Sequence, residues 1–279
     1  RMTPDIFLIV LSAALMHAAW NAIVKGAGDR TVTFGLVAVG HTVPALAVAP
    51  FLPLPPLDSV PYIIASTLIH WGYYYFLNTA YRFGDLSLVY PIARGITPLL
   101  VAVPALILLD ESLSTAGWAG LFCVSAGILV LTVRRHKAAQ LPLAVGMALA
   151  TGGTIAAYSL VDGIGVRLAP QALSYIVWLF IAEGLVVFYI FATRTDRLRA
   201  MSRKQVWTGL IGGVLSALAY GLVLYAKTKA PIGMVSALRE TSVIFAAMIG
   251  LFWFGEGPVK LRLTAAAVVA GGIVLLAMA

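Results

Sequence analysis

Ten stretches of about twenty mostly apolar residues fill almost all of this 279-residue chain, and no other feature narrows its possible folds as much. A helix needs about 20 apolar residues to cross a bilayer core. The qualifying segments are 4–25, 31–51, 61–82, 86–109, 114–133, 141–162, 170–193, 205–227, 231–254 and 259–278. Glycine, proline and charge separate them, as in Gly26-Ala27-Gly28-Asp29, Pro53 through Pro61, Gly84-Asp85, Asp110-Glu111 and Gly255-Glu256-Gly257-Pro258. The connections are too short to hold a separate soluble domain. Backbone groups have no water to bond in hydrocarbon, so these segments are expected to be helices. Only 11% of residues are charged, against about 25% in soluble domains, which excludes a water-covered globule. The expected fold is an all-α integral membrane protein with ten transmembrane helices.

The formal net charge of +8 does not point to nucleic acid, because the basic residues cluster in gaps between apolar runs. Examples are Arg134-Arg135-His136-Lys137 and the stretch from Arg194 to Lys204. The odd-numbered connections hold thirteen: Lys25, Arg30, Arg82, Arg134, Arg135, Lys137, Arg194, Arg197, Arg199, Arg203, Lys204, Lys260 and Arg262. The even-numbered connections and termini hold four: Arg1, Arg167, Lys227 and Lys229. The positive-inside rule then places the odd connections in the cytoplasm and both termini outside. The first apolar run continues through His17, Trp20 and Asn21 to Lys25. It has no small-residue cleavage site and reads as a spanning helix rather than a signal peptide. A lone cysteine, Cys123, excludes an intrachain disulfide and a cysteine metal site.

The chain repeats itself. A shift of 145 residues, chosen to superpose Arg94 on Arg239, also superposes Glu111 on Glu256, Gly127 on Gly272 and Tyr75 on Tyr220. A weaker echo pairs Ala18-Ala19-Trp20-Asn21 with Ala156-Ala157-Tyr158-Ser159 at a shift of 138. The repeating unit is five helices, an odd number, so the second copy enters the membrane from the opposite side. The expectation is two inverted halves, 1–137 and 138–279, around a central cavity. Inverted repeats are the architecture of secondary transporters, whose site lies near the midplane between halves.

At this point the sequence resembles a known family, the drug/metabolite transporter superfamily, and within it the EamA-type ten-helix proteins. The resemblance rests on Ser87-Leu88-Val89-Tyr90-Pro91-Ile92-Ala93-Arg94 through Pro98, Leu109-Asp110-Glu111-Ser112-Leu113, and Gly117 through Gly127. In the second half it rests on Gly255-Glu256-Gly257 and Ala270-Gly271-Gly272-Ile273, with Val243 departing from the first half's Pro98. The resemblance implies a secondary transporter of small metabolites, similar to exporters of aromatic and other amino acids, working by alternating access. Other cargo, such as drugs or nucleotide sugars, is the alternative. It implies a small-molecule substrate, a bilayer setting in the cell (inner) membrane, and no cofactor.

Charged residues at bilayer depth cost about 2.5–3.5 kcal/mol to insert and normally face a bundle interior or aqueous cavity. Arg94 and Arg239 lie about nine residues into their segments, roughly 13 Å deep at 1.5 Å per residue. They read either as a pseudo-symmetric pair that binds a substrate carboxylate or locks the halves, or as structural arginines at helix breaks. Glu183 and Glu240 are the other deep charges and the candidates for proton coupling. The third segment carries Trp71, Tyr74, Tyr75, Asn78 and Arg82 at i, i+3, i+4, i+7 spacing, with His70 beside them. With His17, Trp20, Asn21 and Lys25 on the first segment, Tyr90, Tyr158 with Asp162, Tyr220 with Lys227, and Ser236, they are the candidate walls of an aromatic-lined site. Glu111 and Glu256 are expected to cap the helix that follows each. Gly209-xxx-Gly213 and Gly117-xx-Gly120 are expected packing faces. The enzyme alternative finds no HExxH or GxSxG, and the histidines (His17, His41, His70, His136) are dispersed. Nor is there a GxxxxGK[ST] phosphate loop, so transport would draw on an ion or substrate gradient.

Overall fold

The computed structural model describes residues 2–25, 29–83, 86–132, 141–252 and 258–279, and within its helices the side chains of 24, 25, 30, 74, 78, 81, 86 and 87 lie outside the description. Glu256, Gly255 and Gly257, and the cluster from Arg134 to Lys137, likewise lie outside the described residues. All ten apolar segments are helical over their described residues. They run α1 (Pro4–Lys25), α2 (Arg30–Val48), α3 (Val60–Phe83), α4 (Leu86–Leu109), α5 (Thr115–Val130), α6 (Leu141–Leu168), α7 (Ala172–Glu183) with α8 (Leu185–Arg199), α9 (Arg203–Lys227), α10 (Ile232–Glu240) with α11 (Ser242–Phe252), and α12 (Val259–Met278). Eight of these spans, counting α7–α8 and α10–α11 as one each, are long and apolar enough to cross a membrane, and α5 is a shorter apolar helix. The tenth, α3, is long enough but diluted by its histidine, tyrosines and asparagine.

Local signals start the helices. Asp29 caps α2 through the Val32 N–H (3.1 Å), Ser114 caps α5 through the Gly117 N–H (3.1 Å), and Ser202 forms a capping box with Gln205 at α9. Each satisfies donors that a helix start leaves open. Two spans are interrupted. The seventh breaks at Gly184, where an added Cβ would run into the Thr42 hydroxyl of α2. The ninth breaks at Thr241, inside Arg239-Glu240-Thr241-Ser242, four consecutive polar residues in an apolar span.

The packing repeats with the sequence. α3 lies on α6 as α9 lies on α1, and α4 lies on α6 as α10–α11 lie on α1. The pairs α4–α10, α5–α12 and α2 with α7–α8 map onto themselves when the halves are exchanged. The α5–α12 crossing gives the direction. Gly120 meets Gly272 backbone to backbone, with each Cβ position 2.9 Å from the other's carbonyl oxygen, and Gly127 meets Ala265 and Val269. Moving along α5 from 120 to 127 thus moves backward along α12 from 272 to 265, so the equivalent helices are antiparallel. The halves are inverted. Side-chain-free contacts of this kind let helices approach closely where lipid supplies no hydrophobic drive between them.

Burial also tests the register. Ile6, Val10, Ala13, Ala14, His17 and Ala18 of α1 are buried, and so is every residue 138 positions later in α6. The 145-residue register does not extend to the third and eighth spans. The exposed residues Pro61, Ile64, Leu68, Trp71, Tyr75 and Arg82 of α3 match exposed Lys204, Trp207, Ile211, Val214, Leu218 and Tyr225 of α9 at a shift of 143. The two-residue difference sits between these spans and the next, where residues 228–231 connect α9 to α10 but only 84–85 connect α3 to α4. Tyr75 therefore corresponds to Leu218, and the pairing of Tyr75 with Tyr220 is corrected.

Candidate functional site

The arginines that set the repeat register meet where α4 crosses α10, close to the pseudo-two-fold axis. Arg94 and Arg239 are each 4% exposed and Glu240 is fully buried. Arg94 Nη1 donates to both Glu240 carboxylate oxygens, at 3.2 and 3.0 Å. Its Nη2 lies 2.8 Å from His17 Nε2, and its guanidinium stands 5.5 Å from the Tyr90 ring centre. On the far side of His17, the Trp20 indole N–H points at Nδ1 across 3.2 Å, the two rings edge to face at 5.3 Å. A neutral imidazole has one accepting nitrogen, so both contacts cannot be hydrogen bonds together. The shorter, charge-assisted one to Arg94 takes the Nε2 lone pair, which leaves Nδ1–H facing the indole. Asn21 donates to the His17 carbonyl at 2.7 Å. This half of the cluster is thus an ion pair extended through α1.

Arg239 has different company. Its Nη2 donates to the Tyr158 hydroxyl at 3.3 Å, and its guanidinium lies 5.8 Å from the Tyr158 ring centre and 5.2 Å from that of Tyr220. His70 stacks on Tyr158 at 4.1 Å and 23°, while Tyr73 meets Tyr158 edge-on at 6.2 Å. The Tyr220 hydroxyl donates to Asp162, which also accepts from Tyr175 at 2.9 Å. Lys227 is fully buried at the end of α9 and donates to the Ser159 carbonyl at 2.8 Å. Ser236, one turn before Arg239, is buried with its hydroxyl unpartnered, as are the hydroxyls of Ser159 and Ser242.

A third group gathers at the Gly184 break. Glu183 Oε1 lies 3.3 Å from His70 Nδ1, but it is a buried oxygen without a hydrogen bond. The proton on Nδ1 goes instead to the Ser66 carbonyl at 2.8 Å, so the Glu183 contact is electrostatic only. His41 of α2 packs on Phe180 with its Nε2 buried and unpartnered.

The structure therefore brings together His17, Trp20, Asn21, His70, Tyr90, Arg94, Tyr158, Tyr220, Arg239 and Glu240, with Glu183 reached through His70 and Ser236 on α10. It does not bring in Trp71 and Tyr75. They are 44% and 66% exposed and lie on one stripe with exposed Ile64 and Leu68, the outward, lipid-facing side of α3. The side chains of Tyr74 and Asn78 lie outside the described residues. The inward face of α3 is Ser66, His70, Tyr73 and Ala80, so the aromatic wall on that helix is one to two residues away from the expected stripe.

One residue of the site is not singled out from sequence, Tyr73, which stands in a run of three tyrosines; Asp162 and Lys227, which accompany Tyr158 and Tyr220 in the sequence pattern, are both buried here. Lys227 had been counted among the loop charges, and its burial removes it from that count. Glu111 caps a helix, but not the one that follows. It accepts the Ile232 N–H of α10 at 2.7 Å and pairs with Arg167 at 2.6 Å. Arg167 in turn donates to the Lys227 and Ala230 carbonyls at 2.7 and 3.0 Å. Asp110, with φ at 52°, turns the chain at the end of α4 so that Glu111 can reach the other half.

Comparison with known proteins agrees with this architecture. A crystal structure of a protein 16% identical to this chain superposes with a TM-score of 0.77, covering 98% of each chain; at that identity the likeness concerns the fold alone. The profile of the EamA-like transporter family matches residues 141–278, which is the whole inverted second half from the start of α6 to the end of α12. The chain belongs to the EamA-like transporter family, membrane transporters of small molecules.

Proposed function

We propose that this protein is a secondary exporter of small metabolites, amino acids with aromatic or apolar side chains foremost, working by alternating access between halves 1–137 and 138–279. The observation that carries this reading is the buried arginine, glutamate and tyrosine cluster at the crossing of α4 and α10. Ionisable groups at that depth mark substrate and ion pathways, and this one joins both halves at the axis about which they would rock. Tyr158, Tyr220, His70 and Tyr73 offer π faces and hydroxyls, which suit an apolar side chain with a polar end. Glu183 and Glu240 are the proposed proton-coupling groups, Glu183 by virtue of its unsatisfied oxygen beside His70. The protein works in the cell (inner) membrane with both termini outside.

A counterflow screen in proteoliposomes tests the reading. Labelled aromatic and aliphatic amino acids, a nucleotide sugar and a cationic drug are offered to vesicles preloaded with each unlabelled compound. Accumulation of amino acids supports the proposal. Movement of only the drug or the nucleotide sugar replaces the cargo, and movement of none sinks the reading.

A further inference from the structure

The two arginines are equivalent by sequence but not by surroundings. Arg94 hydrogen-bonds a carboxylate and Arg239 does not: among the described residues Arg239 makes one side-chain hydrogen bond, to Tyr158, and no ion pair, and Glu240 acts on it only at longer range. Glu240 adjoins it in sequence yet directs both oxygens to Arg94. The repeat explains the difference. At the 145-residue register that pairs Arg94 with Arg239, the position equivalent to Glu240 is Gly95. A two-fold-symmetric protein would place a carboxylate at 95 to neutralise Arg239. Here that space is closed, since a Cβ on Gly95 would lie 2.9 Å from Leu129 Cγ.

A guanidinium stays charged at any physiological pH and carries five N–H donors in a planar fork. Buried unpaired, it is costly unless something else supplies the negative charge. The tyrosine rings of Tyr158 and Tyr220 ease that cost through their π faces, but they accept few of its protons. Ser236, on the same side of α10 three residues earlier, keeps a buried hydroxyl with no partner. The fork of Arg239 matches a carboxylate in charge and in bidentate geometry. A phosphate monoester would bring about −1.5 to −2 charges, more than one guanidinium balances.

Resting on the transport reading above, we infer that Arg239 is the carboxylate subsite of the transport site, and that Arg94 with Glu240 is an internal lock between the halves. The cargo supplies the counterion that Gly95 does not. It is then a small monocarboxylate or the α-carboxylate of an amino acid, with its side chain toward the tyrosines.

The test uses the full chain in detergent, with thermal stabilisation as the readout and acid–amide pairs as probes. These are L-alanine, L-leucine, L-phenylalanine and 3-phenylpropionate, each against its carboxamide, with phenyl phosphate as a further arm. At least one acid is expected to bind tenfold or more tightly than its amide and than phenyl phosphate. Arg239→Gln removes that preference, and Arg239→Lys restores part of it. The sharper variant is Gly95→Glu in a Leu129→Ala background, which supplies the missing carboxylate from within. It is expected to abolish acid binding by tenfold or more, while Leu129→Ala alone keeps it. A panel in which no acid outbinds its amide overturns the assignment, as does undiminished acid binding in Arg239→Gln or a preference for phenyl phosphate. Counterflow of amides or amines without acid preference would sink this subsite and leave the transport reading standing.

Discussion

Removing Glu240 should cost more than removing the pair it belongs to. The two side chains are 4% and 1% exposed, with Arg94 Nη1 3.0 Å from the carboxylate. At an effective dielectric constant near 20, unit charges about 4 Å apart attract by about 4 kcal/mol. That agrees with the 3–5 kcal/mol typically lost when one partner of a buried pair is removed. Glu240→Gln and Arg94→Met should therefore each destabilise the protein by about 3–5 kcal/mol, close to three decades in the unfolding equilibrium. Made together, they leave neither partner of this pair uncompensated and should cost far less than their sum. Reversible unfolding in mixed micelles, followed by tryptophan fluorescence for the wild type, both single variants and the double, gives the coupling directly. Because Arg94 and Glu240 come from different halves, that number is also the strength of the lock between them. Additivity within about 0.5 kcal/mol would refute the reasoning and would mean that water or a bound ion, rather than the partner, neutralises each group.

Glu111→Gln should weaken the tie between α4, Arg167 and the start of α10, at about 1.5–3 kcal/mol for a charged hydrogen bond, and Arg167→Ala in that background should add little in the same unfolding assay. Gly120→Val should force α5 from α12, because its Cβ would sit 2.9 Å from the Gly272 carbonyl oxygen; overpacking of this kind costs about 1–3 kcal/mol, seen as a lower melting temperature in detergent. Trp71→Leu and Tyr75→Leu should leave counterflow rates within about twofold, whereas Tyr158→Leu and Tyr220→Leu should lower them at least tenfold, in keeping with the contacts to Arg239; equal losses at all four would place the wall on the α3 stripe after all. In a Cys123→Ala background, Thr195→Cys and Ser112→Cys should react with a membrane-impermeant maleimide from opposite sides, Ser112→Cys from outside; the reverse labelling would overturn the orientation.

Hydropathy made the ten spans legible, and α1, α4 and α12 begin and end where the apolar runs do. It did not reveal the breaks at Gly184 and Thr241, because a one-residue interruption leaves no dip in a twenty-residue average. Nor did it show that α6 runs on to Leu168. Asp162 looked like the end of a span, yet it is buried and accepts from Tyr175 and Tyr220, contacts that exist only after α7 and α9 have packed. The third span shows how a periodic pattern can mislead. Trp71 and Tyr75 do share a face, but polarity in an aromatic ring does not say whether that face meets protein or lipid, where tyrosine and tryptophan are also at home. The arginines were found because charge in hydrocarbon is conspicuous. Their different partners were not, since an adjacent glutamate can turn to either side of the crossing.

The repeat divides the molecule into two kinds of position. Where the halves agree, they build scaffold: the buried stripe of α1 matches that of α6, and Gly120 and Gly127 on α5 meet Gly272 and Ala265 on α12 in one symmetric crossing. Where the cluster holds its polar groups, the halves mostly disagree. His17 corresponds to Ile155, Trp20 to Tyr158 and Asn21 to Ser159 at a shift of 138, Tyr220 to Leu77 at 143, and Glu240 to Gly95 at 145. Only Arg94 and Arg239 are kept in both. Under the proposed alternating access the halves need nearly equal packing energy, since each must adopt the other's arrangement, and shared helix contacts provide that. Its cargo has no two-fold axis. A site built only from repeated residues would present the same group to both ends of an asymmetric molecule. Substituting one copy's side chains in the buried interior of the crossing, while leaving the glycine contacts alone, gives the two ends different partners without disturbing the balance between the halves.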